Sequence, residues 1–420
     1  MVQTLQLSPG VTLRCFQDSR FKQGCLSIRL LRQVRREEVA MNALIPAVLL
    51  RGTPAYPDLR QITLHLDELY GASVGALFRK VGDLQTVGIY GSFLEDRYAL
   101  DGGQILSPII DFMGQLLLEP VLENGHFSTE FVESEKRNLI LAIQSERNDK
   151  RQYAGAQLLK HMCSTDSLGI PRLGEEAQVA AITAESLYRH YQLLLRTSPV
   201  MLFYVGSQTP EQVAALLQPL VSRLAQDPIL LPEQKPFRDP AGGSHTEYME
   251  VTQGKLCMGF TTHITITDPA FAAMQVFNAL FGGGMTSKLF MEVREKQSLC
   301  YDIGSGYRGG KGVLTVAAGI DFDQKDSVID QIRAQLDACC RGDFTQQELE
   351  SARQGLLTQL QSTHDTPGSI ESYYTTGCLS GLNRTPELYM DQIRAVTAQQ
   401  VAEAAKTLRE HTVYFLRGER

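Results

Sequence analysis

The sequence lacks the features that mark a membrane-spanning or secreted protein. It contains no run of 18 consecutive apolar residues, so we expect no transmembrane helix. A secretory signal peptide has a basic region followed by an apolar stretch. The segment Met1–Gly10 lacks this pattern. We therefore expect a cytoplasmic protein.

Motifs for thiol, serine and phosphate chemistry are also missing. The eight cysteines include no CxxC pair, which argues against a zinc ribbon or a thioredoxin-like site. We interpret the adjacent Cys339 and Cys340 as reduced thiols packed on a helix rather than as a redox pair. No G-x-S-x-G motif marks a serine nucleophile, and Gly282-Gly283-Gly284 lacks the continuation of a phosphate-binding loop.

Histidine is sparse and badly spaced for metal binding. No two of the eight histidines lie three or four residues apart, so no helix face carries the paired imidazoles of a zinc site. His65 and Glu68 share a helix face, but a packed or solvated histidine is the favoured interpretation. Cys15 and Cys25 have no histidine nearby in sequence, which disfavours a Cys–His nucleophile.

The composition that is present is that of an ordinary globular protein. Hydrophobic residues make up 43%, charged residues 21% and aromatic residues 8%, which excludes a disordered, collagen-like or coiled-coil chain. There are 40 Lys and Arg against 47 Asp and Glu, for a net charge of −7. We therefore expect no general attraction to nucleic acid or to an anionic membrane. The length of 420 residues predicts two or three domains.

The chain contains an internal repeat. Residues Val132–Ser145 match Leu349–Ser362 without a gap, and Gln178–Ala184 match Gln392–Ala398. Matches that keep their order at a nearly constant spacing indicate a duplicated unit. We infer one unit of about 210 residues that is present twice.

The boundary between the two copies is predicted from composition. Residues 227–245 are rich in proline and glycine and carry little hydrophobic periodicity, as in an exposed linker. This predicts an N-terminal domain over residues 1–226 and a C-terminal domain over residues 246–420.

Within each copy, strands come first and helices follow. Periodicity and capping residues predict the elements of the first copy. The strands are Val11–Phe16, Leu26–Leu31, Gly75–Lys80, Leu84–Tyr90 and Val200–Val205. The helices are Val39–Leu50, Leu64–Tyr70, Phe127–Arg147, one opening at Thr183, and Pro210–Ala225. We expect the first two strands to form a hairpin-like start. The irregular alternation predicts an α+β fold of two duplicated domains, each an antiparallel-rich sheet packed with helices.

Five segments resemble the insulinase/pitrilysin-type metallopeptidases over nearly the whole chain. In the first half these are Val48–Thr53 and Tyr56-Pro57, which resemble the stretch after that family's zinc motif. In the second half, Leu280–Phe290, Glu292–Lys296 and Leu299–Tyr301 resemble its second signature. The chain is most similar to a non-catalytic subgroup whose family name refers to 5-aminopentanol modification of elongation factor P.

The resemblance locates the family's zinc motif, and this sequence departs from it. The family carries His-x-x-Glu-His on its first helix, with two zinc ligands and a glutamate that activates water. Those positions are Ala43, Pro46 and Ala47 here. The family's third zinc ligand is a glutamate on the long helix, seven residues after another glutamate. Glu135 matches the earlier glutamate, and Ala142 replaces the ligand. The sequence therefore predicts no metal, no cofactor and no autonomous peptidase, and Pro46 is expected to kink the helix.

The resemblance also implies two substrate-binding residues in the second half. In the family's small split members, the partner subunit supplies an Arg and a Tyr that hold the peptide, and these match Arg294 and Tyr301. Such groups donate hydrogen bonds to carbonyl oxygens and oxyanions. The alternative is that Arg294 pairs with Glu295 and that Tyr301 is a core residue. The family's peptide-binding sheet edge corresponds to Gly75–Phe78, whose sequence departs from the family pattern.

A basic stretch precedes the first helix. Its arginines are Arg29, Arg32, Arg35 and Arg36, and two glutamates follow. We interpret the stretch as a solvated surface.

Three functions remain open from the sequence. The favoured one is a non-catalytic subunit that pairs with a zinc-bearing paralogue as a heterodimer and encloses a peptide substrate. The second is a homodimeric binding or scaffold protein without a peptidase role. The least favoured is an autonomous peptidase with an unrecognised site.

Overall fold

The computed structural model describes residues 2–100, 102–239 and 242–419. Contacts divide the chain into two units, each built around one large sheet. The strands are β1 (Gln3–Ser8), β2 (Val11–Gln17), β3 (Gln23–Gln33), β4 (Ser73–Val81), β5 (Leu84–Leu94), β6 (Leu122–Glu123), β7 (His126–Phe127), β8 (Val200–Gly206), β9 (Gly243–Tyr248), β10 (Gly254–Thr261), β11 (Asp302–Arg308), β12 (Val313–Ile320) and β13 (Arg409–Arg417). The helices are α1 (Val39–Leu49), α2 (Leu59–Glu68), α3 (Leu106–Leu118), α4 (Thr129–Asn148), α5 (Lys150–Met162), α6 (Glu176–Ala181), α7 (Ala184–Thr197), α8 (Pro210–Val221), α9 (Phe271–Phe281), α10 (Lys325–Arg341), α11 (Gln346–Gln361), α12 (Pro367–Leu379), α13 (Pro386–Ala395) and α14 (Ala398–Lys406), with a π-helix over Leu289–Lys296 between α9 and α10.

The first unit is built on a six-stranded sheet in the order β1-β2-β8-β3-β5-β4. All neighbours are antiparallel except β2 and β8, which run parallel. The predicted hairpin-like start is wrong, because β2 and β3 do not pair. Strand β8 lies between them, and all seven of its residues are buried. A continuous apolar strand of this kind is stable in the middle of a sheet, where both faces are covered.

The second unit repeats this arrangement in a five-stranded sheet, β11-β12-β10-β13-β9. Here too the neighbours are antiparallel except for one parallel pair, β13 and β9. The two sheets share strand order and strand directions, apart from the extra β1 of the first. The predicted α+β fold of duplicated, antiparallel-rich units is confirmed.

The units are not contiguous in sequence. The first consists of the chain up to Ile143 together with Arg172–Glu233 and His364–Leu379, and the rest of the chain forms the second. Each unit therefore contains one helix that belongs to the other copy of the repeat. These helices are α5 and α12, which follow equivalent long helices, α4 and α11.

The predicted division into residues 1–226 and 246–420 differs from the observed units for this reason. The main change of unit falls between Glu233 and Gln234, inside the predicted linker of residues 227–245. Strand β9 already begins at Gly243. Composition carries no signal for a helix that crosses to another sheet.

One face of the first sheet packs on the main core of its unit. Core residues from the strands and from α1, α3, α7 and α8 are fully or almost fully buried. The opposite face is covered by α12, whose Ile370 and Tyr374 pack on Phe16, Cys25 and Phe203.

The contact between α12 and the sheet is centred on a buried ion pair. Nη2 of Arg29 lies 2.6 Å from Oε1 of Glu371, and both side chains are almost inaccessible to solvent. The same carboxylate oxygen accepts hydrogen bonds from Oγ of Ser27 at 2.7 Å and from Oγ1 of Thr375 at 3.0 Å. The prediction that Arg29 is solvated is wrong. It faces α12, and its charge is compensated by a residue 342 positions away.

Arg32 is also buried, which corrects the second part of the same prediction. Its Nη2 lies 3.2 Å from Oε1 of Glu38, just before α1, and its Nη1 donates to Oγ1 of Thr197 on α7 at 3.2 Å. Arg35 and Arg36 remain largely exposed, as predicted. Strand alternation places every second residue of β3 on one face, but it does not show whether a helix covers that face.

In the second unit, α5 covers the equivalent face of the sheet. Its Ala154 and Leu158 pack on Cys257, Tyr414 and Leu416. The carboxylate of Glu247 on β9 accepts hydrogen bonds from Oη of Tyr153 at 2.7 Å and from Oη of Tyr414 at 2.6 Å. The helix is thus tied to two strands by one carboxylate.

The first prediction concerns the ion pair beneath α12. Replacement Glu371→Gln keeps the side-chain volume but leaves the Arg29 guanidinium buried without a counterion. We expect a loss of about 3–5 kcal/mol in the free energy of unfolding, measured by urea denaturation.

The matched control is Glu185→Gln, whose partner Arg189 lies 3.3 Å away in a largely exposed pair. Its effect should stay below about 1 kcal/mol. Equal effects of the two substitutions would contradict a central role for the buried pair.

Candidate functional site

The positions predicted to correspond to the family's zinc motif lie on α1 in the first unit. Ala43 and Ala47 are partly exposed, and Pro46 is buried in the interior of the helix. Their side chains offer hydrocarbon alone. Within the described ranges, no group of three His, Cys, Asp or Glu side chains is arranged to hold a metal ion. The residues present therefore do not fit the zinc ion that the fold would otherwise imply.

The predicted third-ligand position, Ala142, is exposed on α4. Two helical turns earlier on α4, Glu135 matches the family's glutamate, and here it forms an ion pair with an arginine. Its Oε1 lies 3.2 Å from Nη1 of Arg51, whose guanidinium also stacks 5.1 Å above the ring of Phe131. Glu135 thus holds the loop after α1 against α4.

His65 is packed against aromatic rings. Its ring stacks on Tyr56 with the centroids 4.4 Å apart and meets Phe112 edge-on at 5.0 Å. The nearest carboxylate oxygen of Glu68 lies 3.9 Å from its Nδ1. The pair predicted to share a helix face does so, in a packing role.

The cysteines considered as nucleophiles are buried. Burial raises the pKa of the Cys15 thiol to about 12, and that of Cys25 likewise to about 12. Burial also raises the pKa of Cys339 to about 12, while its neighbour Cys340 is only partly buried. Since the thiolate is the reactive form, none of the buried thiols is set up for nucleophilic or redox chemistry.

The predicted peptide-binding edge lies in β4, the outermost strand of the first sheet. Gly75–Phe78 form its middle, and α1 packs against β4 and β5. Strands β4 and β5 are joined by a two-residue turn after Val81, so Val74, Ala76 and Phe78 point their backbone groups away from β5. An edge of this kind can accept an added strand whatever the side chains of that strand are.

Arg294 and Tyr301 meet at a cavity in the second unit. The cavity has a volume of about 590 Å³. It is bounded by the glycine loop Gly282–Gly284, by the π-helix and by the edge strand β11. The glycine loop, Arg294 and Tyr301 all belong to the segments that resemble the family's second signature.

The guanidinium of Arg294 is held at the rim by three contacts. Its Nε donates to the backbone oxygen of Tyr301 at 2.9 Å. Its face lies 4.6 Å above the ring of Phe290, and its Nη1 lies 3.3 Å from Oε1 of Glu295. The pairing with Glu295, which the sequence left as an alternative, is present. It is a partly exposed pair, and pairs of this type contribute little to stability.

Tyr301 is 57% exposed, so the alternative of a core residue is wrong. Its Oη donates to Oδ1 of Asp321 at 2.9 Å. This hydrogen bond to a carboxylate raises the pKa of the Tyr301 phenol above its usual value. The hydroxyl carries one proton, and it is donated to Asp321 in this structure.

Three charged residues near Arg294 and Tyr301 were missed in the sequence, namely Arg151, Asp302 and Asp321. Asp321 comes twenty residues after Tyr301, and Arg151 comes from α5, a helix of the other repeat. Nη1 of Arg151 lies 3.4 Å from Oδ1 of Asp302, the first residue of β11. No motif signals Arg151, because only the crossing of α5 brings it to this sheet.

Comparisons with known proteins agree with this combination of an intact fold and an altered zinc motif. A family model described as "Peptidase M16 inactive domain" matches residues 181–356. The chain is 31% identical to the "Probable inactive metalloprotease YmfF" of Bacillus subtilis, over 97% of this chain and 96% of that protein. It is 25% identical to the "Uncharacterized zinc protease YmxG" of the same organism, over 60% and 61%.

Solved structures show the same fold over the whole length. A conserved protein from Enterococcus faecalis superposes with a TM-score of 0.92 at 29% identity, covering 100% of this chain and 99% of that one. A peptidase M16 inactive domain from Pseudomonas fluorescens reaches 0.83 at 19% identity, covering 100% and 98%.

Fold and site together define a peptidase architecture without its metal motif. The chain belongs to the M16 metallopeptidase family, among the members described as inactive. The family inferred from the sequence motifs is confirmed. Among the described helices, none is long and apolar enough to cross a membrane.

The second prediction tests the zinc positions directly. The variant carrying Ala43→His, Pro46→Glu, Ala47→His and Ala142→Glu restores the family's ligands and base. We expect about one zinc ion per chain in this variant by elemental analysis, because imidazole and carboxylate are zinc ligands and alanine is not.

The unmodified chain, and a variant with Ala142→Glu alone, should bind no stoichiometric zinc. Equal zinc content in the unmodified chain and the four-residue variant would show that α1 does not carry the metal position.

Proposed function

We propose that the chain is the non-catalytic subunit of a cytoplasmic insulinase-type zinc peptidase. It pairs with a zinc-bearing paralogue, and the pair encloses and positions a peptide substrate. The observation that carries the proposal is the contrast between the two sites. The metal ligands are replaced by Ala43, Ala47 and Ala142, whereas Arg294 and Tyr301 remain at the rim of an open cavity.

The chemistry of the rim supports substrate binding. A guanidinium donates to carbonyl or carboxylate oxygens, and a tyrosine hydroxyl donates to an oxygen on which charge develops. Arg294 has only to give up the weak, exposed contact with Glu295 in order to turn toward a peptide. The guanidinium of Arg294 still stacks on Phe290 and donates to the Tyr301 carbonyl, so it stays at the rim when the contact with Glu295 is broken.

The free edge of β4 supports the same proposal from the first unit. A peptide added there would be held through its backbone, in keeping with a subunit that positions substrates of varied sequence. The cytoplasmic location is supported by the cysteines, all eight of which are free thiols. Free thiols are typical of a reducing compartment.

The third prediction is a reconstitution with a zinc-bearing relative that carries the family's intact zinc motif. The two purified chains are mixed, and cleavage of a fluorogenic peptide is followed. We expect activity from the mixture and none from this chain alone. Arg294→Ala should lower kcat/KM of the mixture by about 10- to 100-fold, because a hydrogen bond to a charged group is worth about 1.5–3 kcal/mol.

The matched control is Arg394→Ala, which removes another partly exposed arginine with an acidic neighbour, Asp391. It should leave the rate unchanged. An unchanged rate with Arg294→Ala would refute the substrate role. Elution of the chain as a homodimer that never binds its zinc-bearing relative would instead favour the scaffold function.

A further inference from the structure

The segment from Leu289 to Tyr301, which contains both Arg294 and Tyr301, has an unusual backbone. It begins with the π-helix Leu289–Lys296, a conformation that is rare in proteins and frequent at functional sites. It then reverses direction at Ser298, whose φ is +54°. This is the left-handed region, which residues other than glycine seldom adopt.

Two hydrogen bonds define the turn at Ser298. The N–H of Ser298 donates to the Arg294 carbonyl at 3.0 Å, and the N–H of Leu299 donates to the Val293 carbonyl at 3.1 Å. Each of these bonds spans one residue more than the matching bond of the Schellman motif that closes many helices, and the left-handed position of such helix ends is usually glycine. A serine there costs backbone energy, and residues of this kind persist where the surroundings require the conformation.

The turn determines where the two site residues meet. After the reversal, the N–H of Tyr301 bonds to the Gly319 carbonyl at 2.8 Å, which anchors Tyr301 beside the end of β12. The carbonyl of Tyr301 then lies 2.9 Å from Nε of Arg294. The guanidinium has no other backbone acceptor among the described contacts, so its direction depends on the path of the chain through Ser298.

The side chain of Ser298 contributes nothing to this arrangement. It is exposed, and its hydroxyl has no hydrogen-bond partner within the described ranges. A substitution at this position therefore changes the backbone preference and leaves the side-chain contacts of the site untouched.

We propose that Ser298 is a positioning residue, whose left-handed backbone conformation holds Arg294 against the Tyr301 carbonyl at the rim of the peptide cavity. The inference rests on the proposed function for its consequence in peptide binding. The geometry itself can be tested without any peptide.

The test compares two substitutions of opposite backbone preference. Glycine adopts positive φ freely, whereas a β-branched residue at positive φ is an outlier. We expect Ser298→Gly to bind a fluorescein-labelled insulin B chain, used as an extended peptide probe, with a Kd within twofold of the unmodified chain. Ser298→Val should weaken binding about tenfold, as far as Arg294→Ala does. Ser327→Val, at an exposed serine of α10, is the matched control and should have no effect.

A double variant separates positioning from general loss of stability. If Ser298 acts through Arg294, Ser298→Val should weaken binding no further once Arg294→Ala is present. Additive effects of the two substitutions would overturn the proposal, as would tight binding by Ser298→Val.

A spectroscopic readout keeps the inference testable if the chain binds no peptide. The Tyr301 phenol donates to Asp321, so its pKa is raised in the unmodified chain. In a chain with ¹³C-labelled tyrosine, this pKa should fall toward its ordinary value in Ser298→Val and stay raised in Ser298→Gly. An unchanged titration in Ser298→Val would refute the role of Ser298. Absence of peptide binding in every variant, with the titration shifted as expected, would refute the proposed function alone.

Discussion

The need to cover the second face of each sheet is the constraint on which the rest of the structure depends. A sheet with helices on one side leaves its other side to water unless a further element covers it. Strands β8 and β13 are too apolar to be left exposed. The chain meets this need with α12 in the first unit and α5 in the second. Each covering helix comes from the other repeat. Burial of Arg29 then requires Glu371, because an unpaired guanidinium in that position would be strongly destabilising.

The crossing of α5 also shapes the candidate site. It brings Arg151 to the cavity of the second unit, next to Asp302 at the start of β11. The electrostatics of that cavity therefore combine residues from both repeats. The middle of the edge strand β4, Gly75–Phe78, carries no charged residue.

Loss of the zinc ligands has left the architecture intact. The core beneath α1 is formed by apolar packing, and Ala43, Pro46 and Ala47 fit into a helix that runs from Val39 to Leu49. The segment around Arg294 in the second half has an uncommon backbone conformation, with a π-helix and a left-handed serine. In this chain the segment around Arg294 and Tyr301 has a defined geometry, whereas Ala43, Pro46, Ala47 and Ala142 offer no metal ligands.

Local patterns in the sequence were sufficient for the α+β class, the duplication, and most strands and helices, while the assignment of the zinc-motif positions stays a prediction from the family resemblance. They also placed Arg294 and Tyr301 in one motif, because both lie within a continuous segment. Short-range periodicity reports which residues share a face, but not what covers that face. The burial of Arg29, the pairing of β2 with β8, the exchange of α5 and α12, the position of Arg151 at the cavity, and the hydrogen bond from Tyr301 to Asp321 were therefore decided by tertiary contacts. Each of these joins residues far apart in the chain, and its energy depends on desolvation and packing that no local pattern records.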